Sequence, residues 1–410
     1  MAAGIEAINF YGGRTFLDVR RLFEGRKLDL RRFDNLMIKR KSVALPCEDA
    51  VSLGVNAAKP IVDGLTEQDK QRIELLICAT ESGVDFGKSL STYLHAYLGL
   101  SRTCRLFEIK HACYAGTAAF QSAINFIVSN SCPGVKALVV ATDNSKAAIK
   151  GTYVEPSQGA GAVALLISDQ PDIMEIDFGA NGYHSYEIMD SCRPTAEIET
   201  GDADLSLVAY LDCLEQSFNA YSARVENVDF TSTFDYLAFH TPFPGMVKGA
   251  HRMLMRKLKN ADAAVSEADF QRRVSPSLTY CVEVGNIYSA TLYLALCGLL
   301  DTAVLTSPKR VGLYSYGSGC CAEFFSGIIG PAASAKMKPM TLQSRLAERY
   351  ELSMKEYDAL LELNNEWTFG IKDRDSDTDS YHDIYQEVMK GRGLLVLTRI
   401  RNYHREYDWS

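Results

Sequence analysis

The sequence lacks both a long apolar run and a signal peptide. Its longest apolar stretch covers residues 290–300, which is about half of the ~20 residues that a membrane-spanning helix needs. No charged segment followed by an apolar run opens the chain, as it would in a secretory leader. We therefore expect a cytoplasmic protein that does not insert into membranes.

Cysteines are frequent but unpaired in pattern. The eleven cysteines are scattered, and none shows the CxxC spacing that is typical of zinc and redox sites. An odd number of cysteines without a leader predicts reduced thiols. The sequence also contains no cluster with metal-ligand spacing, and residues 159–161 do not form a phosphate loop. We expect no metal and no bound cofactor.

Positive charge is in short supply over the whole chain. The 410 residues include 43 Lys and Arg against 51 Asp and Glu, for a net charge of −8, which argues against a broad nucleic-acid surface. Two segments depart from this balance. Residues 1–41 contain ten basic and five acidic side chains, and residues 246–259 contain five Lys or Arg and no acidic side chain. Each segment is either a surface for an acidic partner or a solvated helix face.

Length and hydrophobic pattern predict a large, duplicated α/β fold. With 47% apolar and 23% charged residues, the chain has the composition of a globular protein that is too long for one ordinary core. Alternating β-rich and helical patterns indicate helices packed on mostly parallel sheets. Strands are predicted over 73–80, 104–110, 135–142, 159–168, 174–179, 235–240, 310–316 and 322–329, and helices over 81–98, 116–129, 205–221, 246–258 and 286–300.

The order of these elements repeats, which predicts two similar halves in a layered α/β/α/β/α body. We expect the first half over residues 1–170 and the second over 171–410. Within the second half, residues 335–380 are polar and helical in pattern, and residues 393–402 are expected to add a late strand to a sheet edge.

Cys113 lies between a predicted strand and a predicted helix that begins with small residues. Unpaired N–H groups and the positive end of the helix dipole would lower the pKa of its thiol and favour the nucleophilic thiolate. A buried structural cysteine is the alternative. Position, rather than residue type, distinguishes Cys113 from the other ten.

Glu81 and His240 follow two predicted strands, at the sheet edge where open α/β folds bind ligands. Partial burial would raise the pKa of Glu81 and suit it to removing a proton from carbon. His240 is suited to proton exchange near neutral pH. The alternatives are a solvated loop glutamate and a hydrogen-bonded structural histidine.

Two further segments carry polar or flexible residues beside predicted elements. Asn286 opens a helix, where its local pattern favours a simple N-cap. Gly317 and Gly319 flank Ser318 in a turn whose N–H groups are suited to holding an oxyanion. The turn does not have GxSxG spacing, so Ser318 is not predicted to be a nucleophile.

Together these segments resemble the thiolase superfamily and, within it, the 3-hydroxy-3-methylglutaryl (HMG) synthase family. The resemblance covers nearly the whole chain and implies a thiolase-like, five-layered fold and a homodimer. The motifs that carry it are ATES at 79–82, ACYAGTAAF at 112–120, FHTPFPGMVKGAHR at 239–252, GNIYSATLYL at 285–294 and YGSG at 316–319.

The resemblance implies a role for each matching residue. Cys113 becomes the nucleophile that accepts an acetyl group, Glu81 the general base or acid, and His240 an acid near the acceptor thioester. Asp190 is expected to orient His240. The residues that match positions around the acyl pockets are Asp143, Asp190, Pro242, Asn286, Gly317 and Ser318.

The stretch around His240 and the doubled cysteine after YGSG resemble the branch of the family that acts in bacterial polyketide assembly. Its members add acetyl from a donor acyl carrier protein to the β-ketone of an acyl group on an acceptor carrier, both held on phosphopantetheine. Because carrier proteins are acidic, basic side chains are candidates for the contact. These are Arg31, Arg32, Lys39, Lys41, Lys248 and Arg252.

Three alternatives stay open. The first is an HMG-CoA synthase of isoprenoid metabolism that uses CoA thioesters. The second is a ketoacyl-carrier synthase, although decarboxylative condensation has no role for Glu81. The third is an inert thiolase-fold partner, although such a protein could discard its nucleophile and this chain retains Cys113.

Overall fold

A computed structural model describes residues 2–129, 133–145, 149–195, 198–367 and 369–410. Strands within these ranges form one large sheet and three small ones. The strands are β1 (Gly4–Tyr11), β2 (Thr15–Asp18), β3 (Arg40–Val43), β4 (Ile73–Ala79), β5 (Arg105–Ile109), β6 (Lys136–Asn144), β7 (Ala160–Ser168), β8 (Met174–Ser185), β9 (Ser191–Cys192), β10 (Thr200–Gly201), β11 (Tyr236–Phe239), β12 (Lys309–Gly317), β13 (Cys321–Ile329), β14 (Tyr350–Glu351), β15 (Arg374–Asp375), β16 (Leu395–Arg401) and β17 (His404–Trp409).

The α-helices of the described chain pack around the large sheet and the small sheets. They are α1 (Val19–Arg26), α2 (Leu30–Leu36), α3 (Ala50–Asp63), α4 (Glu67–Gln71), α5 (Ser91–Tyr97), α6 (Ala115–Ser129), α7 (Ala203–Arg224), α8 (Pro244–Lys259), α9 (Ala263–Arg273), α10 (Cys281–Val284), α11 (Thr291–Thr302), α12 (Ala333–Met337), α13 (Leu342–Ala347), α14 (Met354–Asn365) and α15 (His382–Val388). No helix of the described chain is long and apolar enough to cross a membrane.

The large sheet has nine strands in the order β11-β12-β13-β8-β1-β7-β6-β4-β5. Three neighbouring pairs are parallel and five are antiparallel, so the prediction of mostly parallel sheets is wrong. The sequence signal was ambiguous because a strand buried on both faces reads as a continuous apolar run in either direction. A short turn after β12 brings β13 back as a hairpin, which must be antiparallel.

The strand pairing repeats along the chain. In the first half β4 is parallel to β6, which is antiparallel to β7, which is antiparallel to β1. In the second half β11, β12, β13 and β8 show the same sequence of pairings. This pattern supports duplication, and the boundary at residue 170 stays a prediction.

Helices α6 and α11 lie between the two halves, and their side chains share one apolar core with the inner faces of the strands. Helix α3 covers the outer face of the first half with a second core, and α7 covers the outer face of the second half with a third. Five layers result. The predicted five-layered α/β architecture is confirmed.

The chain from residue 335 onward differs from its prediction in one respect. Helices α13 and α14 fall within the predicted polar helical region, although residue 368 lies outside the described residues. The predicted late strand exists as β16, but it is the central strand of a separate three-stranded sheet with β15 and β17. Strand β16 therefore does not extend an edge of the large sheet, because it forms its backbone hydrogen bonds with β17 and β15 instead.

Candidate active site

Cys113 lies two residues before α6, in a loop where Ala112 has a left-handed backbone conformation with φ 39°. The half-buried thiol donates a hydrogen bond to Glu81 Oε1 across 3.6 Å. Burial and the nearby Glu81 and Asp143 carboxylates raise the pKa of Cys113 well above its ordinary value. The prediction of a lowered pKa is therefore wrong, because burial and two neighbouring acidic groups both disfavour the thiolate.

Glu81 follows β4 and faces Cys113 from the first half of the sheet. Its backbone N–H donates to Asp143 Oδ1 at 2.8 Å, which holds the loop in place. Burial raises the pKa of Glu81 to about 8; the charges of Asp143 and Glu199 add to this, while Arg193 opposes it. This direction agrees with the expected desolvated carboxyl group, which is suited to both taking and returning a proton.

Asp143, at the carboxyl end of β6, is fully buried and accepts hydrogen bonds with both oxygens. Oδ1 accepts from Thr80, Ser82 and the Glu81 N–H, and Oδ2 accepts from the N–H and the hydroxyl of Ser289. The carboxylate thus connects the Glu81 loop to the segment that precedes α11. Because protein groups already donate hydrogen bonds to both of its oxygens, Asp143 has a structural role and holds these two segments together.

Close backbone contacts at two glycines bring these loops together. A Cβ on Gly317 would lie 2.6 Å from the backbone nitrogen of Tyr114, beside the nucleophile. A Cβ on Gly116, in the first turn of α6, would lie 2.1 Å from the carbonyl oxygen of Ser289. The YGSG turn therefore contacts the Cys113 loop, which agrees with the prediction that its glycines permit close approach.

His240 follows β11 and is 2% exposed. Burial lowers its pKa to about 3, so the imidazole is neutral, and its Nδ1 has no hydrogen-bond partner among the described residues. Asp190 does not orient it. That carboxylate accepts instead from the Tyr316 hydroxyl at 2.6 Å and from the Gly319 N–H at 2.9 Å.

The expected pairing of Asp190 with His240 is therefore wrong, because the two hydrogen bonds of the carboxylate hold the YGSG turn. Asn286 Oδ1 accepts from the Tyr288 N–H and the Thr291 hydroxyl. The N-cap prediction for Asn286 is nevertheless wrong, because α11 begins at Thr291 and its N-cap is Ala290. Ser318 and Pro242 are partly exposed beside Gly317 and His240 respectively. Among the described residues, no group of three or more His, Cys, Asp or Glu could hold a metal ion.

The two basic segments lie side by side, because α2 packs against α8. A Cβ on Gly245 would lie 1.8 Å from the carbonyl oxygen of Asn35, so this glycine permits the close approach. Arg252 and Lys39 are exposed, and neither side chain has a charged partner among the described residues. The other three surface candidates have partners: exposed Arg31 pairs with Asp29, and of the two partly exposed side chains Arg32 stacks on Tyr153 and Lys248 pairs with Glu267.

Lys41 is not part of this surface, so its assignment to the carrier contact is wrong. Its side chain is 1% exposed, and Nζ donates to the carbonyl oxygen of Glu155 and to the Tyr357 hydroxyl. Burial lowers its pKa to about 7. Three consecutive residues of β3, beginning with Lys41, are buried, and a count of charges in a segment cannot reveal this burial.

Comparisons with known proteins show the family of this chain. Residues 4–172 match the hydroxymethylglutaryl-coenzyme A synthase N-terminal model, and residues 251–407 match the C-terminal model. The chain belongs to the hydroxymethylglutaryl-CoA synthase family. Over its full length it is 51% identical to the polyketide biosynthesis 3-hydroxy-3-methylglutaryl-ACP synthase PksG of Bacillus subtilis, of which 99% is covered. A hydroxymethylglutaryl-CoA synthase of Enterococcus faecalis is 36% identical over 88% of this chain and 91% of that protein.

Solved structures of this family agree closely with the fold. The curacin biosynthetic pathway HMG synthase in complex with holo donor-ACP is 54% identical, with a TM-score of 0.98 and full coverage of both chains. MvaS in complex with 3-hydroxy-3-methylglutaryl coenzyme A is 30% identical, with a TM-score of 0.87 over 100% of this chain and 99% of that one. The predicted family, thiolase-like fold and synthase-type enzyme are confirmed.

Sequence reasoning missed two charged residues of this HMG synthase site. The guanidinium of Arg193 lies 3.8 Å from Glu81 Oε2 and pairs with Glu199 at 2.7 Å. Arg193 is only three residues from Asp190, but no motif in the sequence distinguishes it as a site residue. Glu199 follows a stretch without a regular pattern, and no signal in the sequence marks it.

Proposed function

We propose that this HMG synthase condenses an acetyl group held on Cys113 with the β-ketone of an acyl thioester, and that both substrates are carried on acyl carrier proteins in polyketide β-branching. The observation that carries the chemistry is the contact of the Cys113 thiol with the buried Glu81 carboxyl group, 3.6 Å apart. The full-length similarity to a polyketide HMG-ACP synthase supports the carrier-bound substrates.

The first step transfers acetyl from a donor phosphopantetheine thioester to Cys113. The thiol loses its proton to Glu81 as sulfur attacks the thioester carbonyl. The carbon–sulfur bond to phosphopantetheine then breaks, and Glu81 passes that proton to the departing thiolate and becomes a carboxylate again. Glu81 Oε1, which accepts the hydrogen bond of the thiol, is placed to receive the first proton. The product is an acetyl-enzyme and a free carrier thiol.

Glu81 then removes a proton from the methyl group of acetyl-Cys113, and the enolate carbon attacks the ketone of the acceptor. The same proton returns to the new alkoxide, which suits a carboxyl group whose pKa is about 8. Neutral His240, with an unpartnered ring nitrogen, donates a hydrogen bond to the acceptor rather than a full proton. Water finally cleaves the enzyme thioester and leaves a carboxymethyl branch on a tertiary alcohol.

Asn286 and the YGSG turn complete the acyl pocket in this scheme. The Asn286 carbonyl oxygen is occupied within its own segment, so its amide N–H₂ group is the part available to a thioester oxygen. Ser318 and the Gly317 backbone adjoin the Cys113 loop. Preorganised donors at such positions stabilise an enolate oxygen.

The surface formed by α2 and α8 is the candidate carrier site. It presents Arg31, Arg32, Lys39, Lys248 and Arg252, of which Arg252 and Lys39 are exposed and have no charged partner in the described part of the chain. In an otherwise acidic chain, such a surface complements an acidic carrier and speeds its encounter.

A homodimer is supported by the free edge of the large sheet. Strand β5 is the last strand at that end and is partly exposed, and an apolar groove beside it is lined by Phe107 and Phe126. A second copy would pair with this strand and cover the groove, as symmetric dimers commonly do.

Mass spectrometry of the intact enzyme tests the proposal. The enzyme is offered acetyl on coenzyme A and acetyl on a carrier protein in parallel, at equal concentrations. Faster acetylation by the carrier supports the polyketide function. Equal or faster acetylation by coenzyme A would assign the chain to the CoA-dependent alternative, and no acetylation by either donor would overturn the proposed chemistry.

A further inference from the structure

Arg193 is shared unequally between two glutamates. Its Nη2 donates to Glu199 Oε2 at 2.7 Å, and the same nitrogen is 3.8 Å from Glu81 Oε2, beyond hydrogen-bond reach. Its Nη1 donates to the backbone carbonyl of Glu81 at 3.2 Å. The guanidinium therefore holds the main chain of Glu81 while its charge is directed at Glu199.

Neighbours other than Glu81 fix this arrangement. The guanidinium carbon lies 5.1 Å from the centre of the Tyr288 ring, and Tyr288 has a left-handed backbone with φ 51°. Gln158 Nε2 donates to the second oxygen of Glu199 at 2.5 Å. Arg193 and Glu199 are thus placed by their own contacts, and Glu81 adapts to a fixed ion pair.

The groups that face Glu81 include one cation. Those with an electrostatic or hydrogen-bonding effect on it are Arg193, Asp143, Glu199 and the Cys113 thiol. A guanidinium paired directly with a carboxylate typically lowers its pKa by about 1–3 units, which would make Glu81 a weaker base. Burial instead raises the pKa of Glu81 to about 8.

We propose that Arg193 and Glu199 are a positioning pair for Glu81, in which Glu199 holds the guanidinium off the Glu81 carboxyl group so that this group can take and return a proton. The inference rests on the proposed role of Glu81 in condensation. Neither residue touches the reacting atoms in this role; both act through Glu81.

Two opposite variants test the pair. Enzyme that already carries acetyl on Cys113 is mixed with acceptor thioester, and the single-turnover condensation rate is measured across pH. In Glu199→Gln the freed guanidinium pairs with Glu81, so the rising limb of the profile moves to lower pH by about one unit or more. In Arg193→Gln the one cation among the described groups that act on Glu81 is lost, so the limb moves to higher pH. The double variant lies between the two.

A matched control is Glu406→Gln, which breaks the Arg399 ion pair on the small sheet away from the site; its limb stays at the wild-type pH. A merely structural role would reduce the rate in both site variants without moving the limb. An unmoved limb, or movement in the same direction, overturns the inference. If either single variant fails to fold, the other and the double variant still report the direction.

The outcome for the proposed function is read separately from Glu81→Gln. If that variant condenses acetyl at the wild-type rate, Glu81 is not the base, and the proposed mechanism fails together with this inference. If Glu81→Gln loses condensation while the limb stays unmoved in the Arg193 and Glu199 variants, only the positioning pair is overturned.

Discussion

Glu81 and His240 occupy equivalent places in the duplicated fold: Glu81 follows β4 and His240 follows β11, and each of these strands is parallel to the next strand of its own half. Burial acts on the two groups in opposite directions. It raises the pKa of Glu81 to about 8 and lowers the pKa of His240 to about 3. Both side chains are therefore mostly uncharged at neutral pH, Glu81 as a carboxylic acid and His240 as a neutral base.

The condensation step should depend on pH through Glu81. Because the carboxyl group must be deprotonated to remove the methyl proton, the single-turnover rate of acetylated enzyme should rise through a pH of about 8. Glu81→Gln should still reach a full acetyl load but lose at least about 10²-fold in condensation, without that rising limb. Quenched-flow measurements with mass detection check both steps. Wild-type condensation in this variant would exclude Glu81.

Cys113→Ser should abolish stable acetylation. A serine hydroxyl is a far weaker acid than a thiol, and Glu81 cannot ionise it to a useful extent. Intact mass should rise by one acetyl group in the wild type and stay unchanged in the variant. Cys192→Ser is the control, because Cys192 is also partly exposed and should leave the acetyl load unaltered. An acetyl load on Cys113→Ser equal to that of the wild type would exclude Cys113.

His240 should make the fold sensitive to acid. Its folded pKa of about 3 is below the ordinary value of about 6.5, so the unfolded chain binds the extra proton first as pH falls. The stability it contributes is complete above pH 6.5, and about 2 kcal/mol of it is lost between pH 7.5 and 5. In urea unfolding, the free energy of unfolding of His240→Asn should fall by about 2 kcal/mol less than that of the wild type over the same pH range. The exposed His382→Asn should match the wild type.

Reversing charge on the α2 and α8 surface should weaken transfer from the carrier alone. Arg252→Glu or Arg32→Glu should slow acetylation by acetyl carrier protein and spare the slow reaction with a free pantetheine thioester, and raised salt should have the same effect. Lys338→Glu, an exposed charge that follows α12 and lies outside the α2 and α8 surface, is the control. If the acetylation rate fell equally with both donors, the charges would shape the active site or the fold. If it fell with neither, the basic residues would be solvated surface without a role in carrier binding.

Gly317→Ala should displace the nucleophile. The new methyl would lie 2.6 Å from the Tyr114 nitrogen and 2.7 Å from the His111 carbonyl, so the YGSG turn and the Cys113 loop must separate. Acetylation should fall by at least about tenfold, as expected for a misplaced reacting group. Gly330→Ala meets no atom within 4 Å and should behave as the wild type. A fully active Gly317→Ala would show that the turn does not position Cys113.

The sequence alone predicts the elements whose hydrophobic pattern is strong, and it predicts the site residues that directly follow them. Strands β4, β6 and β7 are buried apolar runs, and Glu81 and Cys113 were found because each follows a strand at its carboxyl end. Strand direction could not be read, because burial on both faces removes the alternation that would reveal it. The partner of Asp190, the burial of Lys41 and the pair of Arg193 with Glu199 depend on residues distant along the chain, which no local pattern encodes.

The junction of β1 with β8, where Gly4 pairs with Glu175 and Ile5 with Met174, makes one sheet of the two repeats. A Cβ on Gly4 would lie 2.0 Å from the Met174 carbonyl oxygen, so the seam tolerates no side chain at that position. Chimeras between relatives should therefore keep β1 and β8 from the same parent. A crossover between them would join strands whose bulges and glycines were not selected together, even where every residue around the thiol is preserved.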